Sequence, residues 1–183
     1  MGEIGVFWKD TREYRKRRKR ETPPRRRCWD WVIVSGNCHY AKNRSSFKVY
    51  RRVGRMVPDA TGAETYIAGA GTVELNVRTS SKKGSPTRSL VLENVLHVPN
   101  AVCNGFSIGV YYATHGGTTS FSPFFRGTDE QDSALWYGKP FHGLQKLVLA
   151  EDPQGESYLE NGPEILSLSL SVAKLEEILS AGC

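Results

Sequence analysis

Tyr66-Ile67-Ala68-Gly69-Ala70-Gly71-Thr72-Val73-Glu74-Leu75-Asn76-Val77 carries the clearest period in this chain of 183 residues. Its second half alternates, with Val73, Leu75 and Val77 on one face and Thr72, Glu74 and Asn76 on the other. That spacing predicts a strand with one buried side. Upstream, Trp29-Asp30-Trp31-Val32-Ile33-Val34 is aromatic and β-branched and reads as a buried strand. Ser35-Gly36-Asn37 breaks it. Ser45 to Tyr50 reads as a short strand, and Pro58-Asp59-Ala60-Thr61-Gly62 as a turn. Downstream, the polar loop Ser80 to Pro86 leads into Ser89 to Pro99, a strand or bent pair of strands. Short apolar runs follow at Phe106 to Tyr112, Thr119 to Phe125, Ala134 to Tyr137 and Leu144 to Leu149. Turn residues separate them, which is the rhythm of an all-β barrel or sandwich. Only the end has a helical period: Val172, Leu175, Ile178 and Leu179 share one face of a helix over 171–180, with Gly182 as its stop.

Bulk properties narrow the class. Hydrophobic residues make up 39% and charged residues 24%, as in soluble globular chains. No apolar run reaches the length of about 18 residues that a membrane span needs. Met1 to Asp10 lacks the apolar core of a secretory signal, so an intracellular chain is expected. Cys28, Cys38, Cys103 and Cys183 match no zinc spacing, and reduced, mostly buried thiols are the expectation. The net charge of +6 is uneven. Lys9 to Arg27 holds eleven Lys/Arg against Asp10, Glu13 and Glu21, a local charge of +8 that leaves −2 for the rest. Residues 1–27 therefore read as a flexible basic arm, 28–150 as one domain, and 151–183 as an extension ending in a helix. Pro23-Pro24 closes off any helix in the arm. Arg15, Lys16, Arg17, Arg18, Lys19, Arg20, Arg25, Arg26 and Arg27 form a two-part cluster of the kind that serves nuclear import or binds nucleic-acid phosphates.

Three segments together resemble one family. They are Trp31-Val32-Ile33-Val34-Ser35-Gly36-Asn37-Cys38-His39, then Ile67-Ala68-Gly69-Ala70-Gly71-Thr72-Val73-Glu74-Leu75, then Leu90-Val91-Leu92-Glu93-Asn94-Val95-Leu96-His97-Val98-Pro99-Asn100. Asn104-Gly105-Phe106-Ser107-Ile108-Gly109 follows them. In order and spacing they resemble the protease region of copia-type LTR retrotransposon Pol polyproteins, over about residues 29–149, and the third segment is the most specific. The resemblance implies a mainly β fold: a small retropepsin-like closed or partly closed β-barrel, with the basic arm before it and the helix after it. It also implies a homodimer, or a heterodimer with related Pol domains.

Members of that family resemble aspartic proteases, in which two subunits each supply one Asp. Two carboxylates about 3 Å apart share a proton, so one activates water while the other protonates the substrate carbonyl. In this chain the Asp position is Val34, followed by Ser35 and Gly36. A valine holds no proton, so the loop Val34-Ser35-Gly36 is expected to be degenerate and the chain not to be an enzyme. Asp30 lies too early in the strand to substitute, and Asp59 falls in a turn.

Other chemistries are weaker. Cys38 and His39 are adjacent and face opposite ways on an extended chain, so a thiol–imidazole pair is not expected from them. A buried Cys beside a surface His is the expectation. His39, His97, His115 and His142 lack metal-site spacing. Gly69-Ala70-Gly71 and Gly116-Gly117 lack the Lys-Ser/Thr and helix of a phosphate loop, and more simply permit bends or close backbone approach. No cofactor, metal or membrane contact is expected; the candidate partners are related Pol domains and, through the arm, nucleic acid.

Overall fold

A computed structural model describes residues 27–121, 125–159 and 166–180. The fold is mainly β. Ten strands form one sheet: β1 (Trp31–Val34), β2 (Tyr40–Ala41), β3 (Phe47–Pro58), β4 (Glu64–Arg78), β5 (Thr87–His97), β6 (Asn104–Ser107), β7 (Thr118–Ser120), β8 (Phe125–Thr128), β9 (Ala134–Phe141) and β10 (Leu144–Leu147). Their order is β3-β4-β5-β2-β6-β1-β10-β9-β8-β7. The β1/β6 and β2/β5 pairs are parallel and the others antiparallel.

The sheet is not closed, because β3 and β7 remain as edges. It curls back on itself instead. An isolated antiparallel bridge joins Val77 to Leu149. Beside it the Arg78 amide donates to the Val148 carbonyl and the Ala150 amide to the Asn76 carbonyl, both at 2.8 Å. These bonds tie the end of β4 to the chain leaving β10.

The alternation in β4 has the expected sense: Val73, Leu75 and Val77 are buried while Asn76 is exposed. They join Trp31, Leu90, Leu92, Phe106 and Trp136 in one apolar cluster. A second cluster holds Cys28, Val34, Cys38, Tyr40, Ile67, Leu96 and Cys103. Burying this apolar surface drives the fold.

Two α-helices are present among the described residues, α1 (Ile108–His115) and α2 (Val172–Ser180), besides a 3-10 turn at Arg44–Ser46. The first corrects the strand-like reading of Phe106 to Tyr112. Its apolar residues do mark a strand, β6, but only as far as Ser107. There the Ser107 side chain accepts from the Val110 amide at 3.3 Å and starts a helix. The second is the expected C-terminal helix. Its Leu175, Ile178 and Leu179 pack on the second cluster, whereas Val172 is 68% exposed, so the apolar face is one residue narrower than its period suggests. The strand expected over Ser45 to Tyr50 starts at Phe47, because Ser45 and Ser46 belong to a 3-10 turn, and it runs on to Pro58. Gly182, Cys183 and the middle of the Thr119 to Phe125 run lie outside the described residues.

Candidate functional site

β1 ends on Val34, and the chain leaves the strand through Ser35, Gly36, Asn37 and Cys38. Val34 lies opposite Ser107 in the parallel β1/β6 pair and is 7% exposed, among apolar neighbours. Asp30 and Asp59 are both engaged elsewhere. Asp30, before the other end of β1, is buried and accepts from Lys146 Nζ at 2.7 Å. Asp59 folds onto its own turn, where its Oδ1 accepts from the Thr61 hydroxyl (2.6 Å) and from the Thr61 and Ala63 amides (2.8 and 3.0 Å). The Thr61 hydroxyl, and then those amides, hold its carboxyl below the usual carboxylate range.

The loop is braced from β6. Ser107 Oγ donates to the Gly36 carbonyl at 2.5 Å, and the Ser107 amide donates to His39 Nδ1 at 3.0 Å. His39 is buried and its ring stacks on Phe106 at 5.6 Å between centroids. This corrects the expectation of a surface histidine, because the residue gains both an amide donor and an aromatic neighbour inside the fold. Burial, and secondarily the nearby His115, push its pKa down to about 4. Cys38 is buried too, and burial pushes its thiol up to about 12. A thiol so reluctant to ionise is a poor nucleophile, and His39 has its Nδ1 already committed to Ser107. His97 Nδ1 is likewise paired with the Tyr50 hydroxyl, at 2.9 Å. Deeper still, Asn104 staples the domain: its Nδ2 donates to the Cys28 and Asp30 carbonyls, and its Oδ1 accepts from the Lys42 amide.

The loop is covered by a segment that the sequence reading did not single out. Leu166-Ser167-Leu168-Ser169-Leu170 runs across Ser35 to Cys38. The Ser35 amide and hydroxyl meet Ser167 Oγ at 3.2 and 3.1 Å. Asn37 clamps Leu170 with both amide atoms: its Nδ2 donates to the Leu170 carbonyl (2.7 Å) and its Oδ1 accepts from the Leu170 amide (3.0 Å). Cys38 Sγ donates to the Leu168 carbonyl at 3.3 Å, and the Tyr40 hydroxyl to the Leu166 carbonyl at 2.6 Å. Gly36 is where this segment comes closest: a Cβ there would lie 2.1 Å from the Leu168 carbonyl oxygen. On the opposite side, the tip of the β3–β4 hairpin reaches the segment through the Ala60 amide, which donates to the Ser169 carbonyl at 2.8 Å. Arg51 donates to the Ile178 carbonyl and Arg55 to Glu177 (2.6 Å), so β3 also holds α2.

The proposed basic cluster lies almost wholly outside the described residues: Arg15, Lys16, Arg17, Arg18, Lys19, Arg20, Arg25 and Arg26 are not among them. Arg27 is, and its guanidinium sits 3.7 Å from the centroid of the Trp29 ring, half-buried. Among the described residues no group of three His, Cys, Asp or Glu is placed to hold a metal ion.

Residues 31–116 match the family model described as Pol polyprotein, beta-barrel domain. The match supports a Pol polyprotein region. It runs from the first residue of β1 to the glycine after α1, so it includes the Val34 loop and the hairpin but not the segment that covers them. Neither the curated proteins nor the solved structures gave a match. One signal in the sequence does point to the covering segment: Leu166 to Leu170 alternates apolar and polar. Nothing local says which surface it covers.

Proposed function

We propose that the chain is a non-catalytic β-barrel domain of a retrotransposon Pol polyprotein, related to the copia-type protease region, that acts as an interaction module. One observation carries this reading: Val34 is buried at the end of β1 directly before Ser35-Gly36, at the position that the resemblance assigns to the protease carboxylate. Two such loops brought together in a dimer would present two valines and no shared proton. The engagement of Asp30 with Lys146 and of Asp59 with its own turn supports the same conclusion, since each carboxylate already has partners.

The expected outcome is that the purified chain cleaves no peptide between about pH 4 and 7, the range in which a carboxylate pair works. Cleavage by the native chain that a pepstatin-type inhibitor stops would overturn the reading.

A further inference from the structure

A cavity of about 170 Å³ lies between α1, α2, the middle of β5 and the residues just before β2. Neither the β3–β4 hairpin nor Leu166–Leu170 lines it. Leu92, Val110, Tyr111, Leu175 and Leu179 give it apolar walls, and His39 and His115 both line it. Its rim is shaped by an irregularity in β5. Between the Val73/Leu92 and Gly71/Val95 pairs, β5 takes one residue more than β4, which puts Glu93 and Asn94 out of register. Asn94 there adopts a φ of 54°, an uncommon conformation outside glycine. A bulge of this kind re-aims side chains, and here both residues come to the cavity.

The two imidazoles reach the cavity in opposite tautomers. The Ser107 amide donates to His39 Nδ1 at 3.0 Å, so in the neutral ring the proton sits on Nε2. Phe106 covers one face of that ring. The edge left for the cavity carries the Nε2–H, on a residue only 3% exposed. Among the described residues this donor has no acceptor. Native structures leave few buried donors in that condition, because each costs the water it gave up. His115 is the reverse case. Its Nδ1 lies 3.1 Å from the Tyr111 carbonyl, which can only accept, so that nitrogen holds the proton and Nε2 of the neutral ring is an acceptor. The ring stacks on Tyr111 with centroids 4.5 Å apart, which fixes its plane. The two imidazoles are near enough for a charge on His115 to be felt at His39.

From this arrangement we infer that the cavity is a binding site for a small planar lactam, a six-membered ring with a carbonyl acceptor beside an N–H donor. The carbonyl accepts from His39 Nε2, and the ring N–H donates to His115 Nε2. The size agrees, since a cavity of about 150 Å³ holds one benzene ring. The apolar walls suit the faces of such a ring, and Glu93 and Asn94 at the rim meet any further polar group it carries. A metal ion fits less well. The protonated His39 Nε2 has no lone pair to give, and no three ligating side chains converge among the described residues. Because α2 supplies Leu175 and Leu179, an occupied cavity also holds that helix against the sheet. The inference goes beyond the interaction-module reading and does not depend on Val34.

The test uses the full chain with isotope-labelled histidine at about pH 8, above the ordinary imidazole range. The probe is 2-pyridone, titrated in while the side-chain nitrogens are followed by NMR. N-methyl-2-pyridone, which keeps the ring and carbonyl but lacks the donor, is titrated beside it. A ligand this small is expected to bind with a Kd of about 1 mM. The expected result is a saturable shift of His39 and His115 that leaves His97 and His142 unmoved. N-methyl-2-pyridone should bind at least about tenfold more weakly, a difference of about 1.4 kcal/mol. His115→Phe keeps a ring on Tyr111 but removes the acceptor, and should weaken 2-pyridone by a similar factor. No saturation by about 50 mM overturns the inference, as do shifts shared by all four histidines or equal binding of the two pyridones. The comparison of the two pyridones needs no variant, so it decides even where His115→Phe does not fold. A folded His115→Phe chain that binds 2-pyridone as tightly as the native one also overturns it.

Discussion

Around the Val34 loop, single side chains do work that their residue types only hint at. Ser107 caps α1, supports Gly36 and donates its amide to His39, so one residue joins β6, the loop and the residue before β2. His39 in turn makes the fold sensitive to acid. Its folded pKa is about 4, against about 6.5 for an unperturbed imidazole. Above about pH 6.5 both states are neutral and its contribution to stability is complete. As pH falls toward about 4 only the unfolded state takes up the proton, so stability declines by about 3 kcal/mol across that window. Burial lowers the pKa of His97 as well, which acts in the same sense. Urea unfolding between about pH 7.5 and 4.5 should show the midpoint falling as the pH drops below about 6.5; a midpoint that stays level would show that His39 is not held neutral inside the fold.

The β3–β4 hairpin reaches Leu166–Leu170 through its tip, and its shape rests on glycines. A Cβ on Gly71 would lie 2.0 Å from the Val49 carbonyl oxygen, backbone against backbone, where the β3/β4 and β4/β5 ladders both shift register. Gly109, exposed in α1, has nothing within 4 Å. The two positions should respond oppositely to alanine. Gly71→Ala is expected to cost about 1–3 kcal/mol through overpacking, and Gly109→Ala to add about 0.5–1 kcal/mol through helix propensity. For a chain of this size each kcal/mol moves the melting temperature by about 2–4 °C, so calorimetry separates the two. A Gly71→Ala melt unchanged from the native one would mean that the strands are not held this closely. At the sheet edge β3 carries Lys48, Arg51, Arg52 and Arg55, and such charges discourage edge-to-edge pairing.

For the molecule as a whole, charge is unevenly divided along the chain. Lys9 to Arg27 carries +8 and the rest of the chain −2. If nucleic acid binds this protein, the arm is where counterion release occurs. Deleting residues 1–26 is expected to abolish binding to DNA or RNA together with its salt dependence. Salt-dependent binding that survives the deletion would move the contact onto the barrel. Arg27, the one cluster residue among the described residues, lies over the Trp29 ring.

Much of this architecture follows from local pattern alone. Alternation placed β4 and its buried face, the β-branched run placed β1, the Pro-Asp-Ala-Thr-Gly cluster placed the hairpin turn, and a 3.6-residue period placed α2. Each of these is a short-range property, because side-chain direction repeats every two residues on a strand and every three or four on a helix. The proposed substitution of Val34 for a carboxylate likewise rests on residue identity alone. The burial of His39, the start of α1 at Ser107 and the seating of Leu166–Leu170 on Ser35–Cys38 were not. Those contacts join residues whose meeting depends on how the whole sheet curls. The bond between Asn37 and Leu170 spans 133 positions in the chain. Local propensity says that 166–170 is extended with alternate faces; only the curvature that brings the β1 loop beneath the hairpin tip decides which surface receives it.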